Sequence, residues 1–265
     1  MVDTSDAFRY KFLSLQITCR AYCRNPVRMM RIKGWSFVIL FACFALSFIF
    51  PQHAAAKDAT GKFVVVIDPA HGGKDEGVQL TRKVSEKDIT LAIATLIKRN
   101  LEDSKTLTVR FTRMGDTDVP LADRVGAAIK ANADLFISLH VNAGFEKESA
   151  GYELYFPGFK GQEGSKGAPK GESSAIVRDM VRTKHLNESV RFAQILQRRL
   201  DPVFPRMDRG LRDAPVLILQ NLNIPAVVLE IGFATNPNDR KKLQEESIQA
   251  AVAKAVAEGV RDYLQ

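Results

Sequence analysis

The sequence predicts an α/β fold, a single domain with a mainly parallel, twisted sheet of about six strands flanked by helices. Three observations carry this. Short apolar, β-branched runs alternate with stretches of helical period along positions 57–265. The chain has 265 residues, 46% of them apolar, enough for one core and too apolar for a disordered chain. No stretch recurs at a fixed period, which excludes a solenoid.

The elements follow in order. "KFVVVID" reads as a buried strand. "SEKDITLAIATLIKRNLED" reads as an amphipathic helix with Ile89, Ala92, Ile93, Leu96, Ile97 and Leu101 on one side. Ser85 is placed to cap it, with Asp88 three residues on. "TLTVRFTR" is a second strand, "LADRVGAAIKANA" a helix and "DLFISLH" a third strand ending at His140. "GYELYF" is a fourth strand. "PGFKGQEGSKGAPKGE" breaks the rhythm and reads as a Gly/Lys-rich loop, followed by short helical periodicity in "SSAIVRDMVRTKH". "SVRFAQILQRRLDPVF" is a helix that Pro202 ends or distorts. "APVLILQ" and "PAVVLEIGF" read as two further strands, and the tail from about Asn238 to Leu264 as a helix with an Ala/Val stripe.

The first 56 residues differ in kind. They carry seven Lys or Arg and two acids, then an uncharged apolar run at positions 35–50, then small residues at Ala54 and Ala56. That order is a secretory signal peptide, with cleavage after Ala56 leaving a chain that begins at Lys57. The apolar run of 16 residues is short for a membrane span. The membrane is therefore expected as a partner only through an uncleaved leader. The basic region is long for a signal, and a start at Met29 or Met30 gives a conventional one.

Removing the leader leaves 31 bases and 28 acids, so the chain's formal +8 falls to +3. The basic balance is a property of the leader and gives no reason to expect a nucleic-acid partner. Cys19, Cys23 and Cys43 all lie in the leader, so positions 57–265 have neither disulfides nor thiolate metal ligands.

Three apolar strands lead to a residue that handles metals or protons: "VVVIDPAH" to His71, "DLFISLH" to His140 and "PAVVLE" to Glu230. In open α/β sheets, sites gather at the carboxyl ends of the strands. Parallel strands would put all three on one rim, and Glu86, at the first turn of the helix after Ser85, can return to it. Two imidazoles and a carboxylate suit Zn2+, with a fourth position for water. His71, Glu86 and His140 can be the ligands, leaving Glu230 to move the proton. Each residue also has a plainer role open to it. The histidines can be loop residues, and Glu86 can simply favour the helix dipole. Asp68 either anchors the turn at Pro69 or bonds a ligand histidine. His185 reads as a solvated helix residue.

Together these blocks resemble the zinc-dependent N-acetylmuramoyl-L-alanine amidases of the amidase-3 type. The resemblance runs from "VVVIDPAHGGKDEG" through "SEKDITLAIA", "LTVRFTR", "VPLADRVGAAIKANADLFISLHVNA" and "RGLRDAPVLIL" to "IPAVVLEIGFATNP". It implies zinc ligands at His71, Glu86 and His140 and a catalytic glutamate at Glu230. It implies cleavage of the amide between N-acetylmuramic acid and L-alanine of the peptidoglycan stem peptide, for wall remodelling and daughter-cell separation in the periplasm. Ala70 stands where the family usually has glycine, and "ATNP" where it often has a leucine-serine pair. Two alternatives stand beside this reading. A zinc carboxypeptidase usually pairs ligands as His-x-x-Glu, whereas His71 and Glu86 are 15 apart. An inactive wall-binding module would be expected to lack a ligand or Glu230.

The segment 157–187 is a candidate regulatory insertion, since it is longer than a simple connection requires. Ile176, Val177, Met180 and Val181 form one face of its helical part. The resemblance implies a lid over the metal that a partner protein displaces, with Glu172 or Asp179 facing the ion; a plain surface loop and helix is the other reading. The expected partners are peptidoglycan and such an activator, and the expected state is a monomer.

Overall fold

Seven buried residues in a row, Phe63–Pro69, make β1. Such a strand must be covered on both faces, and parallel neighbours are the usual way to achieve that. β1 pairs in parallel with β2 (Leu107–Phe111) on one side and with β3 (Leu135–Asn142) on the other. β3 in turn pairs in parallel with β6 (Ala226–Phe233). β4 (Tyr152–Pro157) then joins β6 in the opposite direction, and β5 (Asp208–Ala214) follows β4 in parallel. The order across the sheet is β2-β1-β3-β6-β4-β5. The computed structural model describes residues 61–144, 148–158, 172–204 and 208–265, so the leader lies outside the described residues. Residues 55–265 form one compact unit.

Helices cover both faces. On one side α1 (Glu86–Leu101), α3 (Glu172–Leu200) and α6 (Glu246–Tyr263) bury Ile93, Ile97, Phe192, Leu196, Val252 and Val256 against Val65, Ile67, Leu139 and Leu229. The other side is thinner. There α2 (Leu121–Lys130) and the short α4 (Leu217–Gln220) place Val125, Ala128, Ile218 and Leu219 over Val64, Val66, Phe136 and Val228. Because strand side chains alternate between faces, Asp68, Ser138, His140 and Glu230 belong to this thinner side.

The six strands and the flanking helices agree with the sequence reading, with three differences. "APVLILQ" is not a strand: Leu217–Gln220 is helical, and the strand is the preceding polar stretch Asp208–Ala214. The two helical pieces after the Gly/Lys-rich loop are one helix of 29 residues, α3. The tail is two helices, α5 (Pro237–Lys242) and α6; Asn236 accepts hydrogen bonds from the backbone of Asn238 and Asp239 and starts α5. "ATNP" is thus a capping turn. Among the described residues no helix is long and apolar enough to cross a membrane.

Candidate active site

The carboxyl ends of β1, β3 and β6 share one rim. Ser85 opens α1 there, and Asp88 Oδ2 accepts from the Ser85 backbone N–H at 2.9 Å, fixing the first helical residue, Glu86. Glu86 is 2% exposed, and its Oε1 lies 3.1 Å from His71 Nε2 and 3.0 Å from His140 Nδ1. One ligand atom from each of His71, Glu86 and His140 falls within 4.8 Å of the other two. The remaining donor positions are already occupied: Asp75 Oδ2 sits 2.8 Å from His71 Nδ1, and Val78 N–H donates to Glu86 Oε2 at 3.0 Å. Two imidazoles and one carboxylate oxygen, with His71 and Glu86 oriented from behind by Asp75 and the Val78 N–H, are a set that fits zinc.

The turn holding His71 is forced. His71 has φ +58°, a left-handed conformation that costs a side-chain-bearing residue about 1–2 kcal/mol. Two buried arginines hold it in place. Arg124 donates to the carbonyls of Pro69 and His71 and pairs with Asp68 at 2.7 Å. Arg113 donates to the carbonyls of Pro69 and Ala70. Gly72 has φ +131°, and a Cβ there would come 2.3 Å from the Thr117 carbonyl oxygen. Gly77, at φ +63°, backs onto the site itself: a Cβ would lie 2.6 Å from both Glu86 Oε2 and His71 Cδ2. Ala70 is buried without positive φ, so alanine is accommodated there.

Glu230 is the register partner of His140, one strand over. Its Oε2 is buried and has no hydrogen-bond partner. Burial pushes its carboxyl up to about 7; the Glu86 and Glu153 charges add to this, while His140 and His71 oppose it. The hydrogen bond to Glu86 raises His71 to about 9. Burial works to raise Glu86, but its hydrogen bonds with His140 and His71 outweigh that and hold it well below the usual carboxylate range. The four rim residues singled out in the sequence therefore meet, with an unpaired carboxylate beside a convergent donor set.

Residues 65–262 match the N-acetylmuramoyl-L-alanine amidase family. The chain belongs to that family. It is similar to the N-acetylmuramoyl-L-alanine amidase AmiA of Escherichia coli K12, 31% identical over 227 residues, covering 78% of each chain. It is similar to YqiI of Bacillus subtilis 168, an uncharacterized protein, 32% identical over 213 residues that span 80% of this chain and 90% of YqiI. Among solved structures, the catalytic domain of the amidase CwlV from Paenibacillus polymyxa superposes with a TM-score of 0.62 at 31% identity, covering 76% of this chain and 98% of that one. The CwlD amidase of Clostridioides difficile, solved in complex with the GerS lipoprotein, superposes with a TM-score of 0.61 at 25% identity, covering 77% of this chain and 98% of that one.

Other residues of this amidase-family chain refine or depart from the sequence reading. Of the two roles open to Asp68, the turn anchor fits: it bonds no histidine, and its partner Arg124 also donates to the Pro69 carbonyl, with Thr112 and Ser138 as further partners. Asp75, Arg113 and Arg124 support the site without a sequence signal, because a loop acid and two arginines in ordinary helix and strand contexts carry no pattern that marks them. His185 is half-buried rather than solvated, and its Nδ1 is buried without a partner. It lines a small cavity of about 70 Å³ with Arg182, Leu186 and Ile224 at the end of the sheet opposite the histidine rim.

The structure does not bring Asp179 to that rim. Ser189 Oγ accepts from the N–H of Ala226, at the foot of β6, and Tyr152, beside the top of β6, donates to Gln197 O and Asp201. α3 therefore climbs along β6 toward the rim, and its first half projects the other way. Asp179 is exposed, ten residues before Ser189, which is about 15 Å farther from the rim along the helix. Ile176, Val177, Met180 and Val181 are likewise exposed, at 46–67%. The side chain of Glu172 and the loop 159–171 lie outside the described residues.

Proposed function

We propose that this protein is a zinc-dependent hydrolase that cuts the amide between the lactyl group of N-acetylmuramic acid and L-alanine of the stem peptide. His71, Glu86 and His140 hold the ion, and Glu230 is the general base and acid. The observation that carries this is the pairing of a convergent His-Glu-His donor set with an unpartnered glutamate one strand away. When bound, zinc supplies Lewis acidity toward a water and a carbonyl oxygen. Glu230 takes a proton from the water as its oxygen attacks the carbonyl carbon. It then gives that proton to the alanine nitrogen as the C–N bond breaks. Burial suits Glu230 to both halves of this exchange, because it brings the carboxyl's proton affinity toward neutral pH. His71 and His140 keep the site fixed through Asp75 and through the register of β3 with β6.

Retention of all three donors and Glu230 speaks against the inactive wall-binding reading. The setting follows from the same proposal: export through the leader, release in the periplasm beginning near Lys57, and a role in wall remodelling and daughter-cell separation. A partner protein has support from CwlD, which was solved in complex with the GerS lipoprotein, and from the exposed apolar face of α3. The deciding experiment treats purified sacculi with zinc-loaded and chelator-treated protein and examines the soluble products by mass spectrometry. Free stem peptides beginning with L-alanine, formed only with zinc, are expected; release of disaccharide-linked peptides alone would refute the assignment. N-terminal sequencing of periplasmic protein tests export.

A further inference from the structure

On the side of Glu230 away from the metal ligands, the row of polar side chains continues. Glu153 on β4 is the register partner of Glu230 on β6, which is itself the partner of His140 on β3. His140, Glu230 and Glu153 therefore stand side by side across three adjacent strands and on one face. Glu153 is 3% exposed and is tied down from three directions: Asn142 Nδ2 and Tyr155 OH donate to its Oε2 at 2.9 and 2.7 Å, and Arg212 Nη2 meets its Oε1 at 3.2 Å. Arg212 lies on β5, the next strand again, as the register partner of Tyr155. Its side chain remains 46% exposed despite this contact.

Such an arginine is anchored along one edge and open on the other. Along this row Glu86 and Glu153 are buried, while the Arg212 side chain stays about half exposed, so Arg212 is the cation placed to meet an anionic substrate group beside Glu230. A guanidinium is the side chain best shaped for that, because its donors match a carboxylate in pairs. We propose that Arg212, steadied on Glu153, is a carboxylate-binding arm of the site that takes an acidic group on the second or third residue of the stem peptide. This rests on the amidase reading above.

The spacing agrees. Strands lie about 4.8 Å apart, so the backbone of Glu153 is roughly 10 Å from that of His140. An extended peptide rises about 3.4 Å per residue, so a chain whose scissile carbonyl sits at the histidines reaches Arg212 two or three residues on. In the stem peptide that is D-glutamate, whose α-carboxyl is free unless amidated, or the residue after it, which is acidic when it is diaminopimelate.

The test uses glycan strands bearing three kinds of tripeptide stem: D-glutamate then diaminopimelate, D-isoglutamine then diaminopimelate, and D-isoglutamine then lysine. The kcat/KM for stem release is measured for the full-length protein and for Arg212→Ala, with zinc content and melting temperature alongside. Wild type is expected to favour the most acidic stem over the least by at least tenfold. A drop between the first and second substrates assigns Arg212 to the second residue; a drop between the second and third assigns it to the third. In Arg212→Ala the preference should shrink to within twofold, through KM rather than kcat, with zinc unchanged. Should Arg212→Ala fold poorly, Arg212→Gln serves, and Arg212→Lys should restore part of the preference. Equal cutting of all three by wild type, or a preference that survives the loss of Arg212, would overturn the proposal. No release from any substrate by zinc-loaded wild type would instead reject the amidase reading on which it stands.

Discussion

His140 and Glu230 are partners in the register of two adjacent parallel strands, so an imidazole of the candidate metal site and an unpaired carboxylate are held side by side by the strand pairing. Neither needs a loop to bring it into place. Removing the Glu230 charge should therefore leave the donor set intact. Glu230→Gln is expected to keep full zinc content while turnover falls at least about a hundredfold. Near-normal turnover would remove Glu230 from the chemistry.

The donor set itself should be sensitive to truncation. His71→Ala and His140→Ala are each expected to be purified folded but without zinc, by metal analysis and circular dichroism. Stoichiometric zinc in either variant would mean that the ion sits elsewhere.

Gly77 offers a subtler test. A methyl group there would press on Glu86 and His71 together and add left-handed strain of about 1–2 kcal/mol. Gly77→Ala should weaken zinc binding at least tenfold in chelator competition, while the fold persists. Unchanged affinity would show that the turn yields freely.

The acid limb of the pH–rate profile should report Glu230. Its carboxyl is raised to about 7, chiefly by burial, so the working ionised form is lost as pH falls through that value. A bound dication draws the midpoint lower, because it favours the charged form. Glu153 acts in the raising direction, so Glu153→Gln should shift the midpoint down again. A shift upward would contradict this electrostatic account. For stability the sign is the opposite of the usual carboxylate case. Folding favours protonated Glu230, so the metal-free protein should lose stability as pH rises from about 4.5 through about 7 in denaturant titrations.

With α3 projecting away from the rim, removal of residues 158–184 and closure by a short Gly-Ser link should change basal activity on sacculi less than about twofold. A rise of tenfold or more at constant zinc would show that the segment covers the site in solution.

The rim was largely legible from the sequence because each of its strands is a continuous apolar run, and a polar residue ending such a run has to emerge at the sheet's carboxyl edge. Glu86 was legible through the capping signal at Ser85 and Asp88. β5 was not, because Asp208–Ala214 is polar and the neighbouring apolar "VLILQ" is too short to separate strand from helix by period. The helical period of 173–185 was legible, but its continuity with the helix that follows was not, because the apolar residues at 176–181 stay exposed whereas those from Leu186 onward join the core. Asp75 and the two buried arginines act on main-chain carbonyls and ring nitrogens, partners that only folding reveals.

The reversal of β4 has an architectural outcome. Since β4 runs against β6, the chain leaves it at Gly158 on the pole opposite the histidines, and α3 begins on that pole as well. A segment that starts there starts away from the histidine rim. The fold thus separates the point where the chain leaves β4 from the edge where its histidines converge.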